Sequence, residues 1–158
     1  MWIDFYTNTP IINIEQIDSS IIGFVYVIEF TDGTKYIGKK NFYSTRTLPA
    51  LKSGKIREGA IRTFKIGKGK REYYDIVKKE SNWKTYQGSH INCKDKIPKY
   101  KRILAYADSK LQLTYLEAKF LFSFDVLLNP KYLNDNILGT FYRVNLLPNN
   151  DEHDTILT

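Results

Sequence analysis

The sequence predicts a small mixed α/β (α+β) domain, a twisted and mainly antiparallel sheet of about three strands flanked by helices. Three observations carry this. The run "GFVYVIEF" is rich in β-branched and aromatic residues and is followed by Asp-Gly and a second extended run, "KYIGKK", the pattern of a β-hairpin. "KYKRILAYAD" alternates in the manner of a third strand. "SKLQLTYLEAKFLFSFDVLL" reads as a helix, with Ser109 and Gln112 spaced as a capping box, Leu116, Phe120 and Phe124 at i, i+4 and i+8, and Asn129-Pro130 ending it.

The remaining elements follow in order. Residues 1–21 form an N-terminal arm or extra strand, with "IINIEQI" as its extended piece. Residues 22–144 make the main domain, interrupted by a basic insertion at 47–80. Between Ala50 and Arg71 the insertion holds four glycines and eight Lys or Arg, so residues 44–71 are expected to be a mobile loop. "REYYDIVKKES" fits a short helix, "NWKTYQGSH" a surface loop, "KYLNDNI" a turn-rich stretch and "GTFYRVNLL" a last short strand. Residues 145–158 read as a polar, frayed tail.

Composition bounds the function. A chain of 158 residues suits one domain with a real core. With 42% hydrophobic residues but no apolar run near the roughly 18 to 20 needed to span a bilayer, it is expected to be soluble, with no membrane partner. The N-terminus has acidic residues and a Pro where an export signal needs a basic start and an apolar block, which fits a cytoplasmic protein. One cysteine, Cys93, excludes an internal disulfide and a Cys-based zinc cluster, and two separated histidines argue against a His-rich metal site. The net charge of +7, concentrated between Lys39 and Arg102, points to an anionic partner.

Two tyrosines, Tyr26 and Tyr36, fall on adjacent strands of the hairpin, where a shared face by itself implies only packing. Glu117 is more pointed. Its helical neighbours are Leu113, Thr114, Phe120 and Leu121, so a carboxylate projects from a mostly apolar face and needs a partner. The partner is either a lysine from the strands or a divalent cation, and one carboxylate with phosphate oxygens and water is a common Mg²⁺ arrangement. Asp125, farther along the same side, is a weaker candidate. Lys39 and Lys40 follow the glycine of "YIG", and alternation lets only one of them face the same side as a given neighbour.

The motifs together resemble the GIY-YIG endonuclease superfamily. Phe24-Val25-Tyr26 stands at the first motif and Tyr36-Ile37-Gly38 at the second. Arg46 follows ten residues after Tyr36, Glu117 lies in the later helix, and Asn134 comes after it. "YIGKKNFYSTR", the basic insertion, "SNWKTYQGS" and "YLNDNI" are most similar to the phage-encoded, Seg-like, homing-type branch. The resemblance implies a DNA endonuclease using Mg²⁺, with Mn²⁺ as a substitute, and Glu117 as metal ligand. Tyr26 would be the general base on water, Tyr36 its orienting partner and Arg46 the neutraliser of phosphate charge. Asn134, or Asn136 in its place, would support the scissile phosphate. A tyrosine near pKa 10 is a poor base at neutral pH, so such a site must lower it.

The chain departs from the family where a His or Tyr usually follows the arginine by one turn. Ala50 stands there, and His90 or Tyr86 is a candidate replacement. Phosphate tracking falls to Lys52, Lys55, Arg57, Arg62, Lys65, Lys68, Lys70, Arg71 and Lys84. One metal site cuts one strand, so the protein is expected to act as a monomer that nicks or as a transient dimer on DNA. Two other readings stand beside this one, an inactive DNA-binding module of the same fold and a basic protein-interaction domain.

Overall fold

The computed structural model describes residues 1–146; the expected tail from 147 onward lies outside the described residues. In chain order the elements are β1 (Trp2–Asp4), β2 (Pro10–Ile11), β3 (Gly23–Phe30), β4 (Lys35–Asn41), β5 (Tyr43–Pro49), β6 (Ile61–Gly67), β7 (Lys70–Glu80), β8 (Pro98–Ala107), α1 (Lys110–Ser123), β9 (Asn136–Ile137), β10 (Phe141–Tyr142) and α2 (Arg143–Leu146). They divide into two compact units, one built from residues 1–40 and the chain from 84 onward, the other from 41–83.

The first unit is a five-stranded sheet in the order β2-β1-β8-β3-β4. Its heart is the three predicted strands. The Asp-Gly turn works as its residues require: Asp32 Oδ1 accepts from the backbone N–H of Thr34 at 2.9 Å, and Gly33 takes φ 83°. The N-terminal arm adds two short strands, β1 running parallel to β8 with Ile3 opposite Arg102. "IINIEQI" is extended only at its start. Gln16 Oε1 accepts from the backbone N–H groups of Ile12 and Asn13 at 2.7 and 2.9 Å, removing donors that a strand ladder would use, and Ile14–Gln16 is a 3₁₀ turn.

β3 is buried on both faces. On one, Trp2 packs edge-on against Phe24 and Tyr26, each at 5.1 Å between ring centroids. On the other, Val25, Ile37 and Leu104 meet Leu113 and Leu121 of α1. The helix starts as predicted, with the Ser109 hydroxyl accepting from Gln112 N–H at 3.2 Å. It stops at Ser123, ahead of Asn129, because Asp125 adopts a left-handed φ of 50° and the chain turns back to bury Val126 and Leu127. The predicted last strand is also cut short. Arg143 turns inward and donates to the carbonyls of Val126, Tyr132 and Asn134 at 2.8, 2.6 and 2.9 Å, tying the post-helix loop together.

One buried lysine stands out. Lys101 is 7% exposed, lies 4.2 Å from the Trp2 ring centroid and donates to the Lys84 carbonyl at 3.3 Å. Burial lowers its pKa to about 8, so the unfolded chain holds this proton more tightly. Stability from this residue therefore increases as pH rises from about 8 toward the unfolded value of about 10.4. Lys101→Met is expected to raise the melting temperature at pH 7, a gain of the order of 1 kcal/mol, and the gain should shrink as pH passes 10. Thermal melts across pH 6 to 10.5 check this; equal effects at both ends would refute it.

The second unit corrects two expectations. Residues 44–71, expected to be mobile, and "REYYDIVKKES", expected to be helical, together form a three-stranded antiparallel sheet in the order β5-β7-β6. Lys68 and Gly69 join β6 to β7 with φ 48° and 76°, the double positive φ of a type I′ hairpin turn. A Lys at the first such position hides the signal, because lysine seldom adopts it. Order also comes from Asp75, which is fully buried. Arg62 Nε and Arg57 Nη1 reach its two carboxylate oxygens at 2.5 and 2.9 Å, and the same guanidinium groups donate to the Lys55 and Pro49 carbonyls. Arg62 and Arg57 hold the Asp75 carboxyl below its usual pKa. Arg57 and Arg62, expected to track phosphate, are thus committed to folding the loop between β5 and β6.

Candidate active site

Within the first unit a polar cleft of about 490 Å³ opens between β4, α1 and the segments around Ser89 and Asn134. Tyr36, Lys39, His90, Glu117, Asn134 and Asn136 all line it, so six of the sequence-selected residues come together. Each arrives by a separate route. Tyr36 and Lys39 lie on β4, Glu117 projects from α1 beside buried Leu113 and Leu121, and Asn134 and Asn136 follow the loop gathered by Arg143.

The partner that Glu117 needed is Lys39. Its Nζ lies 3.0 Å from Glu117 Oε2 and donates to Thr114 Oγ1 at 2.9 Å. The Glu117 side chain keeps 19% exposure toward the cleft. The choice between the two lysines is thereby made. Lys40 takes the other side of the strand, with its Nζ 4.0 Å from the Tyr86 ring centroid. Asp125 lies beyond the helix end and does not line the cleft.

Tyr36 and Tyr26 differ sharply. The Tyr36 hydroxyl lies 3.0 Å from Ser89 Oγ at the cleft wall. Tyr26 is fully buried, and its hydroxyl makes no well-formed hydrogen bond among the described residues, the Tyr86 side chain being a polar neighbour. It sits against the backbone of Gly38, where a Cβ would come within 2.5 Å of the hydroxyl oxygen and 2.8 Å of Cζ. The glycine of "YIG" is therefore needed for close approach. The rings of Tyr26 and Tyr36 are 6.3 Å apart. Burial, followed by Tyr86 and Tyr36, pushes the Tyr26 pKa well above 10, and burial likewise pushes Tyr36 up to about 12. The protein's own groups thus raise both pKa values, opposite to the lowering that a tyrosine base requires.

Asn134 is 5% exposed and both polar atoms of its amide bond to β4. Its Oδ1 accepts from Ile37 N–H at 3.1 Å and its Nδ2 donates to Ile37 C=O at 2.7 Å. With Lys35 N–H bonded to the Lys131 carbonyl and Leu133 N–H to the Lys35 carbonyl, residues 131–134 run along the edge of β4 and close it. Asn134→Ala leaves the Ile37 groups unpaired and is expected to cost about 1–3 kcal/mol. Denaturant titration measures it, and a loss below 0.5 kcal/mol, roughly the floor for a single net hydrogen bond, would contradict the bracing role. Asn136 is a turn asparagine that accepts from Gly139 N–H at 3.0 Å.

His90 Nδ1 accepts from Asn92 N–H at 3.2 Å and Nε2 meets Asp135 Oδ2, so both ring nitrogens are engaged. Asp135 and Ser89 are cleft residues that sequence reasoning missed. "NDN" and "GSH" carried the only signal, with no periodicity to separate them from ordinary turn chemistry. Arg46 is exposed on β5, in the second unit, opposite Val77. Lys84 belongs to the first unit.

The cleft suits a hard cation in one respect. Glu117 supplies one carboxylate and Asp135, engaged with His90, a second, with Tyr36, Ser89, Thr114 and Asn136 contributing neutral oxygen atoms around the same space, a donor set of the kind that holds Mg²⁺ jointly with phosphate and water. No cluster of three or more His, Cys, Asp or Glu is present among the described residues. Among the described residues no helix is long and apolar enough to cross a membrane.

The family model described as "Putative endonuclease segE, GIY-YIG domain" matches residues 4–137. No curated protein and no solved structure matches. The matched span takes in both sequence motifs, the cleft lined by Tyr36 and Glu117, and the β5–β7 sheet, and on it the chain belongs to the SegE-type GIY-YIG endonuclease family.

Proposed function

We propose that this protein hydrolyses DNA phosphodiester bonds with a divalent cation, Mg²⁺ with Mn²⁺ as substitute, in the cleft between β4 and α1. The observation that carries this is the meeting of Tyr36, Lys39 and Glu117 around one polar space in a GIY-YIG family chain. Glu117 would hold the cation, which when bound supplies charge to stabilise the phosphorane-like transition state and to lower nearby pKa values. Lys39 would move from Glu117 to a phosphate oxygen. Tyr36, held by Ser89, orients the attacking water, and Tyr26 behind it completes the tyrosine pair. Arg46 keeps its assignment to phosphate charge, and Asn134 acts through β4 as a positioning residue.

Lys52, Lys55, Lys65, Lys68 and Lys70 would meet backbone phosphates, giving affinity that falls with salt. The chain would act in the cytoplasm of a phage-infected cell, as a nicking monomer or a transient dimer. The Lys39–Glu117 pair and the buried Tyr26 favour a second reading, a DNA-binding module without cleavage. Supercoiled plasmid incubated with the protein in Mg²⁺, Mn²⁺ or EDTA decides between them. Metal-dependent nicked product supports hydrolysis; salt-sensitive binding with no product under any metal supports the module.

A further inference from the structure

The second unit carries the whole net charge of the protein. Of the 24 basic and 17 acidic residues, 11 and 4 lie between 41 and 83, which leaves 13 of each elsewhere. Arg57 and Arg62 are neutralised in part by Asp75, and most of the other basic residues lie on the ordered sheet or its β6–β7 turn, with Lys52 and Lys55 in the loop between β5 and β6. Strand alternation gives this sheet a specific face. Phe64 pairs across from Tyr73 and Ile66 across from Arg71, so these four side chains share one side of the β6–β7 hairpin. Phe64, Ile66 and Tyr73 are 46%, 76% and 45% exposed. The Arg71 guanidinium is held 4.9 Å from the Phe64 ring centroid, whose own centroid lies 6.0 Å from that of Tyr73.

An exposed apolar cluster with a pinned arginine needs an occupant, and a local excess of positive charge makes a polyanion the fitting one. A two-stranded ribbon is of a size to enter the major groove of B-DNA, where apolar groups meet thymine methyls and an arginine fork meets guanine. Lysines at the turn, Lys68 and Lys70, are placed for phosphates beside such a groove. We propose that the β6–β7 hairpin enters the major groove of duplex DNA and that Phe64, Ile66, Arg71 and Tyr73 read base edges. The insertion then sets sequence preference as well as affinity. This rests on the DNA-hydrolase reading for its choice of substrate.

The test uses full-length Glu117→Gln protein in EDTA, so that no cleavage intervenes, and selects bound duplexes from a randomised pool at about 0.1 M salt. Sequencing is expected to show a preferred motif. Ile66→Ser and Arg71→Lys should flatten the preference at particular positions by roughly 10- to 100-fold, with the salt dependence of binding retained. Lys68→Ala should instead weaken all sequences evenly and lower the salt slope by about one. Circular dichroism spectra matching the parent protein show that each variant is folded. If Ile66→Ser and Arg71→Lys select the same sequences as the parent, or if they weaken all sequences equally, base reading by this face is wrong while the hydrolase reading stands. If the parent binds no duplex at all, both fall, and a protein partner for this face takes their place.

Discussion

Glu117→Gln is expected to reduce metal-dependent plasmid cleavage by at least about 10³-fold, since a cation's charge stabilisation is worth several kcal/mol and each 1.4 kcal/mol is a factor of ten. The substitution keeps the shape of the side chain and one oxygen that can still accept from Lys39, so thermal stability should change little. Affinity for duplex DNA in EDTA should persist. The control is Lys39→Ala. Glu117 and Lys39 share a contact of 3.0 Å; if that ion pair were their only role, the two variants would behave alike. A cation at Glu117 makes a different demand, because Lys39 competes for the carboxylate. Lys39→Ala should therefore lower the Mg²⁺ concentration needed for half-maximal cleavage, even if its maximal rate is reduced. Cleavage that survives Glu117→Gln, or a Mg²⁺ midpoint unmoved by Lys39→Ala, would remove Glu117 from the metal role.

A large loss of stability is expected on substituting Gly38. An added Cβ would lie 2.5 Å from the Tyr26 hydroxyl oxygen, 2.8 Å from Tyr26 Cζ and 3.0 Å from Tyr36 Cε1. Tyr26 cannot move aside, being fully buried with Trp2 and Phe24 against it at 5.1 and 6.0 Å and Tyr86 at 6.0 Å. Overpacking of this kind costs about 1–3 kcal/mol, which for a chain of this size lowers the melting temperature by roughly 2–4 °C per kcal/mol. Gly38→Ala should also displace both tyrosines and so depress cleavage. Tyr26→Phe alone should change stability little, because among the described residues the buried hydroxyl makes no well-formed hydrogen bond and has the Tyr86 side chain as a polar neighbour, yet under the proposed function it should slow cleavage. The double variant should recover only part of the lost stability, since the Cζ contact remains. Melts of the three variants beside their plasmid activities decide the matter; an unchanged melting temperature for Gly38→Ala would show that the close approach is not a constraint.

Both predictions start from residues that local sequence logic could find. The hairpin was legible because β-branched and aromatic strands flank an Asp-Gly turn whose hydrogen bonds are made within five residues. α1 was legible because Ser109 and Gln112 cap it locally; its predicted apolar stripe holds only in part, since Leu116 and Phe120 pack against the core beside Leu113 and Leu121 but Phe124 lies past the helix end and is exposed. Glu117 could be singled out because a carboxylate on an apolar helix face is costly without a partner. The second unit was hidden. β7 has helix-compatible neighbours in "REYYDIVKKES", and what selects strand there is pairing on both sides with β5 and β6, contacts remote in sequence that override propensity. Asp75 looked like one scattered charge, yet it organises the loop between β5 and β6 through Arg57 and Arg62.

The sequence by itself determined the strands β3, β4 and β8, the helix α1, the motif residues and the concentration of positive charge, because each depends on periodicity, turn chemistry or composition within a short window. Only the tertiary structure decided which lysine meets Glu117, that Asn134 spends its amide on Ile37, that Tyr26 is buried while Tyr36 faces the cleft, and that the basic insertion is a sheet with an exposed apolar cluster on one side. Those outcomes depend on which distant segments pack together, and burial and pairing energies that arise across such distances leave no periodic trace in the chain.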